Sequence, residues 1–321
     1  MSDLGIIEKL SAGTALISLG MEKEVAESLR KLKWTTIRSP YYIDSLTNKA
    51  REIDIVARNV YHKPYGYNSF ISSSIVLLVE CKSLTDYHII ADGKLAKEEF
   101  YIEGNHNIWA GYDGYDNYKK INTILNKSSL NSNDKREVLT NIKKWLYPED
   151  TQVLRKYVPP SFRNIDRYSS FRETNIGVVK ELDNSVLWKS FLSLNSVSQS
   201  YESSHWNNID ESFQSDVDYI TTSKMPLIDN LKTMFFYRDI LRHISIHKIL
   251  VIDSHLWEHE KPLKSLKYFR FIQQNVLGHN EEWIDVVSLR YLREYLNEIT
   301  KYYNVFFRKV RVKKMGHSYL P

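Results

Sequence analysis

The chain has 321 residues, of which 42% are hydrophobic and 13% aromatic, so it can bury a substantial core, and its net charge of +5 is mild. Its single cysteine, Cys81, excludes an internal disulfide and a cysteine-based zinc site, and it fits a reducing compartment. No apolar run is long enough to span a bilayer, and residues 1–5 lack the basic-then-apolar layout of a signal peptide. We therefore expect a cytoplasmic protein with no membrane partner.

Helices are predicted first along the chain, and strands follow them. Apolar residues at helical spacing indicate one helix that ends before Gly20 and a second over Glu22–Leu32. A strand is predicted over Trp34–Ile43. Residues 61–74 are polar and aromatic, which predicts a loop that leads into the apolar run Ile75–Val79.

Two charged residues stand directly after that apolar run. Glu80 and Lys82 are two positions apart in an extended strand, so both side chains should project from one face while Cys81 turns into the core. Asp54, between two isoleucines, is predicted to lie in the preceding strand. If the two strands pair, two carboxylates and one ammonium group converge.

This combination of groups suits hydrolysis of a phosphodiester bond. The carboxylates of Asp54 and Glu80 can hold Mg²⁺ or Mn²⁺ while water remains in the coordination shell. Such a cation lowers the pKa of a bound water and offsets charge in the transition state. Lys82 would position that water, and its own pKa would drop if it were desolvated near the metal. The pattern predicts a metal-dependent nuclease with Asp54, Glu80 and Lys82 as catalytic residues.

A Glu-x-Lys triplet is a weak signal by itself, because on an exposed strand it forms a solvated ion pair. Here it is the only such triplet in the chain, and it follows five apolar residues. Buried charges are costly unless they are paired or bound to metal. The alternative that stays open is a module that binds nucleic acid or a partner without catalysis. The joint presence of Asp54, Glu80 and Lys82 argues against it.

These residues resemble the PD-(D/E)XK nuclease superfamily, the restriction-endonuclease-like fold of restriction enzymes, Holliday junction resolvases and bacterial defence nucleases. The resemblance covers about residues 20–84, as helix, strand, acid-bearing strand and Glu-x-Lys strand. Ile53 stands where many relatives have proline, which removes no ligand. The resemblance implies an α/β domain with a mixed central sheet flanked by helices. It also implies cleavage of DNA in preference to RNA, with metal ligands from Asp54, Glu80 and the backbone carbonyl of Cys81.

Two further site residues follow from the resemblance. Glu22 matches the additional metal-site acid that resolvase-like members place in the first helix, although an ordinary exposed charge is an equal alternative. Gln199 corresponds to a polar accessory residue from a later helix, on the same face as Asn195. A homodimer that cleaves four-way junctions and a defence partner from the same operon both stay open.

After Lys82 the sequence becomes polar and then returns to an apolar pattern. Residues 86–173 are predicted to be an insertion after the third core strand of a single domain, 1–321. The core is predicted to resume with helices over Asn184–Tyr201 and Met225–Ile244 and with a buried strand over Lys248–Asp253.

Residues 260–321 are predicted to form a C-terminal extension. It should contain strands over Tyr268–Gln274 and Trp283–Ser288, and then a helix over Leu289–Tyr303. The last 22 residues hold six Lys or Arg and no acid. We expect this basic run to contact nucleic-acid phosphates, with a solvated tail as the alternative; it comprises Arg308, Lys309, Arg311, Lys313 and Lys314.

Two other groups of side chains are weaker candidates. The aromatics of the insertion either stack on bases beside two lysines or pack against the core; they are Trp109, Tyr112, Tyr115 and Tyr118, with Lys119 and Lys120. His255 and His259, with Glu258 and Glu260, have the composition of a metal cluster, but nothing in their spacing makes them converge.

Overall fold

The computed structural model describes residues 14–44, 48–65, 69–84, 86–95, 107–110, 165–175, 177–202, 239–273 and 282–309, with short pieces at 125–126, 131–133, 135–136 and 140. Within these residues, three long helices accompany a large mixed sheet, so the chain is an α/β protein. The helices are α1 (Thr14–Lys31), α2 (residues 186–202) and α3 (Leu292–Lys309).

The strands, in chain order, are β1 (Thr35–Arg38), β2 (Tyr41–Ile43), β3 (Ala50–Glu52), β4 (Ile55–Tyr65), β5 (Ser69–Lys82), β6 (His88–Lys94), β7 (Asn107–Ala110), β8 (Arg167–Asn175), β9 (Val178–Val179), β10 (Asp239–Ile252), β11 (Leu256–Glu258), β12 (Lys264–Leu266), β13 (Tyr268–Gln273) and β14 (Glu282–Ser288). The strand order in the main sheet is β1-β4-β5-β10-β14-β13-β8-β6-β11-β12, with β7 on β10 and β9 on β8. β2 and β3 form a separate pair.

The part of the sheet that carries Glu80 consists of β1, β4, β5 and β10. β4 is antiparallel to β1 and to β5, whereas β5 and β10 are parallel. Glu80 and Lys82 are opposite Leu250 and Ile252 in register, so β5 and β10 end at the same edge of the sheet. In a parallel pair, polar groups that follow each strand therefore meet at that edge.

Each face of the sheet is covered by helices. On one face, α2 contributes Leu187, Phe191, Leu194 and Val197 to a core with Val76, Leu78 and Leu250. On the other face, α1 and α3 pack against Ile75, Leu77, Val79, Ile249 and Val251. The alternation of β5 and β10 residues between the two cores follows from the two-residue period of a strand.

The end of α1 directs the chain into β1. The amide of Lys33 donates to the carbonyl of Arg30 at 2.9 Å, and the amide of Trp34 donates to the carbonyl of Leu29 at 3.1 Å. Lys33 has a φ of 66°, the left-handed conformation that this type of helix ending requires. Trp34 and Leu29 are both buried in the same core, which fixes the direction in which β1 leaves the helix.

Several predicted elements differ from the structure. α1 continues through Gly20, and most of the predicted loop over residues 61–74 belongs to β4 and β5. The segment Asp239–Ile244, predicted as the end of a helix, belongs to β10, while residues 225–238 lie outside the described part of the chain. Asp54 lies in a bend between β3 and β4 rather than within a strand. The strands predicted near residues 248, 268 and 283 are confirmed.

Both ends of the predicted insertion, residues 86–173, lie in the main sheet, because β6 pairs with β8. Trp109 belongs to β7, whereas Tyr112, Tyr115, Tyr118, Lys119 and Lys120 are outside the described residues. Among the helices that the structure describes, none has the length and apolar character needed to cross a membrane.

Candidate active site

Asp54 meets Glu80 and Lys82 at one end of β4 and β5. Ile55 and Val79 are register partners in this antiparallel pair of strands. Asp54, just before β4, and Glu80, in β5, are the next residues beyond this pair. The Nζ atom of Lys82 lies 3.5 Å from Oδ2 of Asp54 and 3.6 Å from Oε2 of Glu80. One ammonium group therefore lies between two carboxylates.

The residue between Glu80 and Lys82 contributes through its backbone. The amide nitrogen of Cys81 donates a 2.7 Å hydrogen bond to Oδ2 of Asp54. The Cys81 side chain is fully buried in the core that α1 covers. Burial also raises the pKa of the Cys81 thiol, as do the neighbouring carboxylates of Asp54 and Glu22, so a thiolate nucleophile is disfavoured.

Glu80 is a buried carboxylate, with only 5% of its surface exposed. Burial raises its pKa, and the charge of Lys82 and the hydroxyls of Ser193 and Ser190 oppose that rise. The two serines are on α2, three residues apart and therefore on one helix face. Sequence reasoning missed them, because their spacing gives a shared helix face but not that this face meets Glu80.

Lys82 is held as a cation. Burial lowers the pKa of Lys82, but Glu80 and Asp54 more than offset this effect, so the pKa lies above its usual value. Two carboxylates beside one ammonium group cause this rise, and the expected fall of the pKa beside a bound cation stays a prediction. The Lys82 side chain remains 36% exposed. It can therefore reach both the acids and a bound molecule.

Glu22 is brought to the same end of the sheet by α1. It is buried, its Oε1 accepts a 3.4 Å hydrogen bond from Ser18, and its Oε2 lies 3.7 Å from Nη2 of Arg38. Burial and the negative charge of Asp54 raise its pKa, while Arg38 lowers it. Glu22 is thus not an ordinary exposed helix charge, but an acid close to Asp54 and Lys82.

Other predicted site residues are placed elsewhere or are not described. Gln199 is exposed on α2, while Asn195 is buried and accepts a 2.6 Å hydrogen bond from Lys248. Arg308 and Lys309 are the last two residues of α3, and Arg311, Lys313 and Lys314 lie outside the described residues. Their contact with phosphate stays a prediction.

The group around His255 does not converge on one point. Glu258 binds Lys94 at 2.9 Å and Lys264 at 3.2 Å, whereas His259 pairs with Asp92 at 3.3 Å. Throughout the described ranges, no three His, Cys, Asp or Glu side chains are arranged as metal ligands. Mg²⁺ needs only one or two protein carboxylates, because water and substrate phosphate complete its octahedral shell. Asp54 and Glu80 fit that requirement and not that of zinc.

Asp253 is a further acid at this edge that sequence reasoning left without a role. Its Oδ1 accepts a 2.8 Å hydrogen bond from the amide of Leu84, and its Oδ2 accepts one from the hydroxyl of Ser83. These bonds fasten the chain that follows Lys82 to the end of β10. The sequence signal for Asp253 was its position at the end of a predicted buried strand, which the structure shows to be β10, parallel to β5.

No family model, curated protein or solved structure matches the chain. The arrangement at the ends of β4 and β5 is therefore what bears on function.

Proposed function

We propose that the protein is a metal-dependent nuclease that hydrolyses phosphodiester bonds of DNA with Mg²⁺ or Mn²⁺. The observation that carries the proposal is the position of the Lys82 ammonium between the carboxylates of Asp54 and Glu80. A structural ion pair needs one acid for one base. The second acid leaves negative charge at a partly buried site, and a divalent cation compensates it.

The order of elements also supports the proposal. α1, β1, β4 and β5 occur in this order, with the pair β2 and β3 between β1 and β4; the acid stands ahead of β4 and the Glu-x-Lys at the end of β5, as the resemblance to PD-(D/E)XK nucleases implies. β10, which follows α2 along the chain, lies parallel to β5. The large part of the sheet beyond β10 has no counterpart in that resemblance and supports no particular activity.

Asp54 and Glu80 would hold the cation, which supplies water activation and charge neutralisation at the phosphate when it is bound. The two neighbouring acids favour the protonated form of Lys82, which does not accept the proton of the attacking water. It donates hydrogen bonds instead, and so orients the water or the phosphate oxygen beside it. The amide of Cys81 holds the Asp54 carboxylate in place throughout. The resemblance implies in-line attack that leaves 5′-phosphate and 3′-hydroxyl ends.

Cleavage assays on plasmid DNA, linear duplex DNA and RNA test the proposal, each with Mg²⁺, with Mn²⁺ and with EDTA. We expect DNA cleavage with either metal, none in EDTA and none by the Asp54→Asn variant. Asp183→Asn, a matched change at an exposed residue before α2, should cleave like the wild type. Cleavage that persists in Asp54→Asn would contradict the proposal. DNA binding without cleavage would favour the non-catalytic binding module, and cleavage of RNA alone would change the substrate.

A further inference from the structure

Arg38 stands at the end of β1, next to the candidate active site. It is opposite Ile55 in the register of β1 and β4, and the amide of the following residue, Ser39, donates a 2.8 Å hydrogen bond to the carbonyl of Asp54. β1 and β5 lie on opposite sides of β4. The ends of three adjacent strands therefore present Arg38, then Asp54, then Glu80 with Lys82. Arg38 is thus a cation on the β1 side of the acids, while the ammonium of Lys82 lies between them.

The side chain of Arg38 is weakly held. Its Nη2 lies 3.7 Å from Oε2 of Glu22, which is within reach of charge attraction but longer than a hydrogen bond. Within the described part of the chain, this is the one polar partner of the Arg38 side chain. About a third of that side chain is exposed, 34%, against 10% for Glu22. Most of the five guanidinium N–H groups are thus available to an incoming acceptor.

A phosphate diester is the acceptor that such a group fits. The planar guanidinium donates two parallel hydrogen bonds to two oxygens of one phosphate, a geometry that an ammonium group cannot reproduce. The carboxylates of Asp54 and Glu80 repel a phosphate, so a substrate needs cations beside them. Lys82 supplies one and is already engaged by both acids. Arg38 supplies the other, and its single long contact costs little to break.

We propose, building on the proposed nuclease function, that Arg38 binds a substrate phosphate and that its ion pair with Glu22 breaks when it does so. The released carboxylate of Glu22 then becomes available to the cation held by Asp54 and Glu80. Substrate binding would in this way complete the acidic side of the site. Until then, Arg38 neutralises Glu22, the third acid of the site. The phosphate replaces Glu22 as the partner of Arg38.

The phosphate contact is tested by binding to a fluorescent duplex in EDTA, where cleavage is excluded. Neutralising one phosphate-contacting arginine should reduce the slope of log affinity against log salt by about one. We expect that reduction for Arg38→Gln and not for Arg172→Gln, an equal change of charge at an exposed residue of β8. Arg38→Lys should keep the slope but bind more weakly, because it loses the paired donors. An unchanged slope in Arg38→Gln would overturn the phosphate contact.

The exchange is tested by Mn²⁺ binding without DNA, followed by electron paramagnetic resonance. Freeing Glu22 from a partly exposed ion pair should raise Mn²⁺ affinity about two- to fivefold in Arg38→Gln. The double variant with Glu22→Gln should lose this gain. Equal Mn²⁺ affinity in wild type and Arg38→Gln would overturn the exchange. Neither readout requires cleavage, so failure of this inference and failure of the nuclease proposal are distinguishable.

Discussion

The backbone amide of Cys81 donates a 2.7 Å hydrogen bond to Oδ2 of Asp54, so the Glu-x-Lys strand itself fixes the acid that precedes β4. The bond needs the N–H of residue 81 and not its side chain. Position 81 therefore has two separable roles, because its backbone orients an acid at the site while its side chain fills the core on the opposite face.

This separation predicts the behaviour of Cys81→Ala. We expect cleavage within a few-fold of the wild type, because the amide remains, and a stability loss of about 1 kcal/mol, because a small buried group is removed. The wild-type activity should also resist thiol-alkylating reagents, since the buried thiol is not a thiolate. Activity measured beside urea unfolding checks this. Loss of cleavage in a stable Cys81→Ala protein would show that the side chain takes part in the reaction.

Replacing Lys82 should affect the chemical step and not cation binding. Lys82→Met keeps the length of the side chain but removes the ammonium between Asp54 and Glu80, so Mn²⁺ affinity should hold or rise. The single-turnover rate should fall on the order of a hundredfold, as for loss of one positioned hydrogen-bond donor. Lys94→Met, which removes another strand-end lysine with an acidic partner, is the control. A loss of Mn²⁺ affinity in Lys82→Met would contradict the assigned role.

The sequence was sufficient for the local geometry of the site and insufficient for its surroundings. The two-residue period of a strand predicted that Glu80 and Lys82 share one face and that Cys81 is buried, because that inference needs only β5 itself. Ser190, Ser193 and Arg38 approach the site from α2 and β1. Their positions depend on how distant elements pack, which no short pattern encodes.

The predicted loop between β4 and β5 illustrates the same limit. The polar and aromatic composition of residues 61–74 indicated a loop, and the segment also contains Pro64, which removes a donor from a sheet. In the structure Pro64 is opposite Phe70 in β5, while β1 pairs only with residues 55–58 of β4. Among the described residues, no strand lies opposite Pro64 on the β1 side, where its missing N–H costs no ladder bond. Gly20 likewise indicated a break, yet it occupies an open position of α1 where a Cβ would meet no neighbour within 4 Å, and one helical glycine costs only about 1 kcal/mol.

His247 should make the protein sensitive to acid. It is fully buried in β10, and burial lowers its pKa to about 4, with Asp285 opposing and Arg270 assisting that shift. Between pH 6.5 and 4 the unfolded chain binds a proton that the folded chain does not, so stability falls as the pH falls. The free energy of unfolding should fall by an amount on the order of 3 kcal/mol over this pH range.

Urea unfolding from pH 7.5 to 4 measures this effect in His247→Gln and in His255→Gln, where the replaced histidine is exposed. His247→Gln should flatten the pH dependence of the unfolding free energy, whereas His255→Gln should leave it as in the wild type. Equal pH dependence in all three proteins would show that other groups cause the acid sensitivity.

Lys248 should make the stability of the folded protein depend on pH above pH 8. It is fully buried and donates to Asn195 and to Glu282, each at 2.6 Å. Burial lowers its pKa to about 8, although Glu282 raises it. Between pH 8 and 10.5 the unfolded chain therefore holds the extra proton, and stability rises with pH. From pH 8 to 9.5 the gain from Lys248 is on the order of 2 kcal/mol, and ionisation of Cys81 in the unfolded chain offsets part of it, because burial raises the pKa of that thiol in the folded protein.

The double variant Lys248→Met with Glu282→Gln should lose this rise, and it removes both members of the 2.6 Å ion pair together. Denaturant midpoints at pH 8 and 9.5 provide the comparison. A rise of the same size in the double variant would assign the titration to another group.

The C-terminal basic run should supply most of the salt-dependent affinity for DNA. Arg308 and Lys309 end α3, and three further basic residues follow within five positions without an acid between them. Each phosphate that is neutralised releases counterions, so changing Arg308, Lys309, Arg311 and Lys313 to Gln should reduce the slope of log affinity against log salt by up to about four. The change expected from Arg38→Gln is about one.

Binding of a duplex in EDTA at several salt concentrations measures both slope changes, and Lys261→Gln at an exposed loop position is the control. An unchanged slope in the fourfold variant would place the main phosphate contacts elsewhere, and the lysines at 119 and 120 would be the next to neutralise.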